Sequence, residues 1–322
     1  MEPLNARANL VTRRRFVAAL SAVAAAPLVW RARGARAATP SFDFSPQQAG
    51  RVRAPKDPQA ASALGGLRLV EPGAFTVAIA PFGAPIASYA TDARTVVGSD
   101  ADYARLVADA LGLTLQLVPI AWADWPLGLS SGKYDAVISN VGVTEQRKRK
   151  FDFTTYRLGL HAFYVANESA IRSIREPHDI AGLRIATDTG TIQERILLEW
   201  NRQNEAKGLK GAELSYYDDF ASIRLALLAK RVDAVFNPDA PLLYAAATQG
   251  GIRLVGTINA GWPYKADVGI ATRKDSGLAS VLTAATNGLI RGGQYRASLA
   301  RWGLETEAVA RSETNPPGLR DA

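Results

Sequence analysis

Lys133-Tyr134-Asp135-Ala136-Val137-Ile138-Ser139-Asn140 has an echo further along the chain, Arg231-Val232-Asp233-Ala234-Val235-Phe236-Asn237-Pro238. Each copy follows a Leu-rich helical stretch and reads as a short buried strand opened by an acidic residue. The interval, about a hundred residues, is too long for a solenoid unit, so the echo implies two similar α/β lobes. Outward from the first copy come Thr144-Glu145-Gln146-Arg147 and Phe151-Asp152-Phe153. A strand closing in Ser139 and Asn140 exposes backbone groups at its carboxyl end, where open α/β sheets bind ligands. Arg147 then falls on the first turn of a helix, and its planar fork matches a carboxylate bidentately. This order of parts predicts a site for a small carboxylate.

The flanking segments support the same fold class. Phe75 to Ala80 is a short β-type run. Tyr103, Leu106, Val107, Ala110 and Leu111 recur at helical spacing, with Ser99 or Asp100 as the expected cap and Gly112 as the stop. Leu113, Leu115 and Leu117 alternate with polar residues as in a strand. Alternating β and α segments with short connections predict parallel or mixed sheets covered by helices. Tyr156 to Val165 is expected to lead out of the first lobe and Ala266 to Thr272 to lead back, with two helices between Ser276 and Trp302 completing it. The expected organisation is therefore lobe 1 over 67–159 and 266–312, lobe 2 as a continuous insert over 160–265, and a tail over 313–322. Residues 38–66, rich in Pro, Ala, Gln and Gly, read as a poorly ordered arm.

Of the formal charge of +8, residues 1–37 carry +6 (seven Arg against one Glu), leaving +2 for the remainder. That balance gives no reason to expect a nucleic-acid face. The basic stretch belongs to a leader: Thr12-Arg13-Arg14-Arg15-Phe16-Val17, an apolar run to Trp30, and Ala35-Arg36-Ala37 as a small-x-small cleavage site after Ala37. The twin arginines followed by x-Phe-Val resemble a twin-arginine translocation signal. With no cysteine in the sequence, disulfides, thiolate metal ligands, a cysteine nucleophile and a lipid anchor on an N-terminal cysteine are excluded. Only His161 and His178 are present, so no transition-metal ligand spacing is recognisable, and no P-loop or dinucleotide fingerprint occurs. No cofactor and no metal are expected.

Gly98-Ser99-Asp100-Ala101-Asp102, Ser131-Gly132-Lys133-Tyr134-Asp135, Thr144-Glu145-Gln146-Arg147 and Phe151-Asp152-Phe153 resemble the recurring blocks of the family 3 extracellular solute-binding proteins, in order and spacing, from about Leu67 to Leu304. The resemblance implies a type II periplasmic binding fold of two α/β lobes on two hinge strands. It also implies a monomeric periplasmic receptor that delivers an amino acid to the inner-membrane permease of an ABC importer. Arg147 stands at the family's position for the ligand α-carboxylate, at the end of the segment holding Asn140 and Gly142. Thr191, in Gly190-Thr191-Ile192-Gln193-Glu194, matches the second-lobe block, and with Glu194 it reads independently as a capping box. Asp239 is the expected partner of the ligand ammonium, one residue later than the family's spacing, which falls on Pro238. Trp122, with Trp125 as the neighbouring alternative, is expected against the ligand side chain, and Phe82 on the opposite wall. Relatives often carry a hydroxyl where Gly142 stands, so backbone is expected to substitute. Asp188, just before Gly190, is expected to meet a positive ligand group.

The rival reading is a cyclohexadienyl or arogenate dehydratase, because such enzymes resemble the same family. That chemistry needs a positioned general acid. His161 lies near the first crossover strand and reads as a hinge-packing residue, and His178 sits in a loop.

Overall fold

Three parallel strands begin the first sheet, and the inner two, Ala74–Ile79 and Ala136–Val137, are buried along their whole length, as expected where helices cover the faces of a parallel sheet. A computed structural model describes residues 42–263 and 267–320 of the chain, and the leader expected over 1–37 lies outside them. The first sheet runs Thr114–Pro119, Ala74–Ile79, Ala136–Val137, Asp267–Arg273, Phe151–Leu158, and the second runs Glu213–Tyr216, Arg184–Thr187, Ala234–Pro238, Leu160–Ala166, Ile252–Asn259. In each, the first three strands are parallel and the last two antiparallel. The two sheets thus share one plan, with the Asp-Ala-Val strand third in both.

The echoed acids do the same job. Asp135 accepts from the backbone N–H of Thr76 at 2.9 Å, and Asp233 accepts from that of Arg184 at 2.9 Å, each reaching the adjacent parallel strand. Asp233 also pairs with the Arg184 guanidinium at 2.6 Å. These acids hold strand register.

The chain crosses between the sheets at Gly159, between Phe151–Leu158 and Leu160–Ala166, and Asp267–Arg273 returns to the first. The helices Ser99–Leu111, Leu278–Arg291 and Gln294–Arg301 cover one face of the first sheet, with Leu106, Val107, Leu282 and Trp302 in the largest apolar cluster. Ile192–Ala206 covers the second sheet, with Ile196, Leu197 and Trp200 beneath it. The helix after Gly98 starts at Ser99, so neither Ser99 nor Asp100 is its cap. Asp100 is instead fully buried and bonded within lobe 1.

Two expectations about the ends are corrected. Residues 42–66 are not a loose arm: Phe42, Phe44, Val52 and Leu64 lie against the first lobe's core, and Pro58–Ala63 is a helix capped by the Asp57 carboxylate. The segment from 313 is no detached tail either, since the Thr155 N–H donates to the Glu313 carbonyl at 3.0 Å and the Leu319 N–H donates to the Val143 carbonyl at 3.1 Å. Among the described residues no helix is long and apolar enough to cross a membrane.

Candidate functional site

Because both sheets share one plan, the carboxyl ends of their parallel strands face one cleft, where such sheets offer ligands unpaired backbone groups. From lobe 1 come Ala80, Trp122 and Asn140, each within three residues after a strand, and from lobe 2 Asp188 and Tyr217, each directly after a strand, and Pro238, the last residue of one. They enclose a cavity of about 410 Å³. Of the residues expected at the site, Phe82, Trp122, Asn140, Gly142, Arg147, Asp188 and Thr191 all line it.

Arg147 lies on the short helix Glu145–Lys148, whose cap is Thr144: the Thr144 hydroxyl accepts from the Arg147 N–H at 3.0 Å. Its guanidinium donates to the Gly142 carbonyl at 2.8 Å and, across the cleft, to the Gly190 carbonyl at 3.1 Å. It also sits 5.7 Å from the Trp122 ring and 5.6 Å from that of Trp125. Burial, with a smaller contribution from the Arg195 charge, draws its pKa down to about 10, which leaves it charged at neutral pH. Two of its five N–H donors are used on carbonyls, and among the described residues no carboxylate pairs with it. Of the two tryptophans, Trp122 reaches the cavity and Trp125 is buried against Phe151.

Gly142 explains its own missing hydroxyl. A Cβ there would lie 2.2 Å from Cδ1 of Ile192 in the other lobe, so glycine admits the close approach. Thr191 caps the facing helix, accepting from the Glu194 N–H at 3.2 Å while its hydroxyl donates to the Asp188 carbonyl at 2.7 Å. The reciprocal half of the expected capping box is displaced by one residue, since the Glu194 carboxylate accepts from Gly190 rather than Thr191.

Asp188 is in the cavity, and burial pushes its carboxyl up to about 6 against the opposing amides of Asn237 and Gln193, with Asp218 and Asp219 adding to the rise. Asp239 is the expected residue that the structure places elsewhere. At the first position of the helix Asp239–Gln249 it accepts from the Tyr164 hydroxyl at 3.3 Å and is not among the cavity residues. Its neighbours Pro238 and Ala240 are, because one residue along a helix start turns the side chain by about a quarter of a turn.

Sequence reasoning missed a buried polar network beneath Asn140. Asn140 has φ +53°, its N–H donates to Asp100 at 2.8 Å, and its side-chain oxygen accepts from Arg157. Arg157 also pairs with Glu307, and Tyr156 donates to Asp100 at 2.9 Å. Arg157 and Glu307 both reach the cavity wall. The one available signal was an arginine between Tyr156 and Leu158, in a strand whose only other charged residue is Asp152 near its start. His161 also lines the cavity, edge-on to Phe236 at 5.7 Å, and burial lowers its pKa to about 3. It is neutral at physiological pH.

Two sheets of one plan facing a shared cleft define the two-lobed type II periplasmic binding fold. Residues 75–305 match the model of the bacterial extracellular solute-binding proteins, family 3, and the chain belongs to that family. Among its relatives is the L-cystine-binding protein TcyJ of Escherichia coli strain K12, 30% identical over 154 residues, covering 47% of this chain and 54% of that protein. The match thus spans about half the length of that relative. The cyclohexadienyl dehydratase of Pseudomonas aeruginosa is 26% identical over 131 residues, covering 40% of this chain and 48% of that protein. An ancestral arginine-binding protein bound to arginine is similar in structure, with a TM-score of 0.63 and 25% identity, covering 71% of this chain and 98% of that one.

Proposed function

We propose that this protein is the periplasmic receptor of an ABC importer and captures a small amino-acid-like carboxylate between its lobes. The observation that carries the reading is Arg147: a charged guanidinium in the cleft, held by a carbonyl from each lobe and paired with no carboxylate among the described residues. A ligand carboxylate is the group that such a fork accepts. Trp122 and Phe82 supply walls for the side chain, and Asp188 meets a positive group of the ligand. With Asp239 turned to Tyr164, Asp188 takes over the expected role of acid for the ligand's positive end. Amino-acid binding is what the names of TcyJ and the ancestral arginine-binding protein describe, and it supports this class of ligand here. The twin-arginine leader would deliver the folded monomer across the inner membrane, where the closed form docks on the permease.

A thermal-shift screen tests this directly, since a ligand that binds only the folded state raises its apparent stability. L-Arginine, L-histidine and L-cystine are compared with acids of the same size lacking the amino group. A shift with an amino acid supports the reading, and a shift only with acids lacking nitrogen overturns the amino-acid class. The dehydratase relative motivates a second reading, with Asp188 as the acid because its carboxyl titrates near 6. Incubation with prephenate and arogenate decides it: product formation would make the protein an enzyme. We favour the receptor because His161, held neutral near pH 7, supplies no acid to assist.

A further inference from the structure

Both ends of the described chain are anchored on lobe 1 and touch lobe 2. At the amino-terminal end, Thr91 donates to the Phe44 carbonyl at 2.9 Å, and Arg301 pairs with Asp43 at 3.5 Å, which ties the segment to lobe 1. The Phe42 ring lies 5.2 Å from buried Trp302 of lobe 1 and is stacked at 5.2 Å on Tyr244, from the lobe 2 helix Asp239–Gln249. Phe44 stands behind it, 6.1 Å from Tyr244 and 6.2 Å from Trp302. Such aromatic groups gain from mutual burial and from their ring geometry.

At the carboxyl-terminal end the anchors are again in lobe 1. Leu319 donates to the Val143 carbonyl at 3.1 Å, Glu145 donates to the Leu319 carbonyl at 2.9 Å, and Lys148 donates to that of Pro316 at 2.9 Å. The Leu319 side chain, 6% exposed, belongs to the apolar cluster of lobe 2 that contains Ile192 and Ile196. Arg195 of lobe 2 adds a hydrogen bond to the Arg320 carbonyl at 2.8 Å. Phe42, Phe44, Tyr244, Trp302 and Leu319 are all outside the cavity lining.

We propose that these two contacts, Phe42 and Phe44 on Tyr244 and Leu319 in the lobe 2 core, are clasps that hold the lobes together whether or not the cavity is filled. The clasp residues themselves stand outside the cavity lining, and of the partners named only Ile192 reaches it, through apolar packing that needs no ligand; opening the cleft must expose the apolar surface that each clasp covers. The clasps bias the lobe equilibrium toward closure and thereby set how much of that equilibrium a ligand still has to shift. The inference depends on the two-lobed fold and not on what the cavity binds.

The sequence has no cysteine, so Leu127→Cys in lobe 1 (Leu127 77% exposed) and Leu198→Cys in lobe 2 (Leu198 50% exposed) give two spin-label sites on an otherwise intact chain. Distances are read by pulsed electron resonance on protein stripped of bound solute by unfolding and refolding. The expected result is a single short interlobe distance. Tyr244→Ala with Leu319→Ala should add a longer-distance population and raise the open-to-closed ratio by about tenfold or more. Should the double variant melt early, the single variants replace it, each expected to add a smaller open population than the double because the other clasp remains. A broad distribution in the parent, or a parent-like distance in folded clasp variants, overturns the proposal.

Discussion

The guanidinium of Arg147, in lobe 1, donates to the carbonyl of Gly190, in lobe 2, at 3.1 Å. The same group donates to Gly142 at 2.8 Å within its own lobe, so one side chain is held by both walls of the cleft. Two neutral carbonyls fix its orientation without neutralising it, and its remaining donors stay suited to an anion.

Arg147→Ala is expected to weaken the best ligand of the thermal-shift screen by about tenfold to a hundredfold, from the roughly 1.5–3 kcal/mol of a charge-assisted hydrogen bond. Arg147→Lys should recover only part of this, because an ammonium lacks the fork. Calorimetry checks both variants, and unchanged affinity for the alanine variant removes Arg147 from the site.

The two-lobe plan was legible because it is written locally. Apolar spacing marked the helix ending at Leu111, alternation marked the strand at Leu115, and the Asp-Ala-Val echo marked the third strand of each sheet. Arg147 and Thr191 stood out for the same reason, each standing at the start of a helix. Asp239 did not yield to that reasoning, because its direction depends on where the helix after Pro238 begins. Glu307 and Phe42 carry no local signal at all. Their partners, Arg157 and Tyr244, are distant in sequence and are brought near only by the finished fold.

Asp188 predicts a pH dependence. Burial raises its folded pKa from the ordinary 3.8 to about 6, so between those values the folded state holds more proton than the unfolded one. Its contribution to stability is present below about pH 4 and is lost as pH rises through about 6. Asp188→Asn should flatten that part of the curve of melting temperature against pH and raise the melting temperature above pH 6. A cationic ligand reverses the preference, so its affinity should rise across the same window in the parent and not in the variant. Equal pH profiles for the two proteins would show that Asp188 titrates elsewhere.

Arg157→Ala tests the buried network. The substitution leaves Glu307 and Asp100 in the interior without their cation and frees the side-chain oxygen of Asn140. Breaking a buried pair from one side costs about 3–5 kcal/mol, which denaturant unfolding would register as a clear drop in midpoint. Arg157→Met with Glu307→Leu, removing both charges, should be closer to the parent than Arg157→Ala alone. A single substitution no more harmful than a surface change would mean that water already reaches the network.

Gly142 and Ile192 test how closely the lobes must meet. Gly142→Ser places a Cβ 2.2 Å from Ile192 Cδ1, so the isoleucine must turn aside or the lobes must part. Crowding of this kind costs about 1–3 kcal/mol. Ile192→Val deletes the clashing methyl and by itself should cost about 0.5–1.5 kcal/mol for the lost packing. The pair should then be less destabilised than the sum of the two, because the second change removes the obstacle that the first creates. Thermal unfolding of the four proteins gives the coupling. Additive losses would show that Ile192 moves away freely, and that glycine at 142 is not what lets the lobes approach.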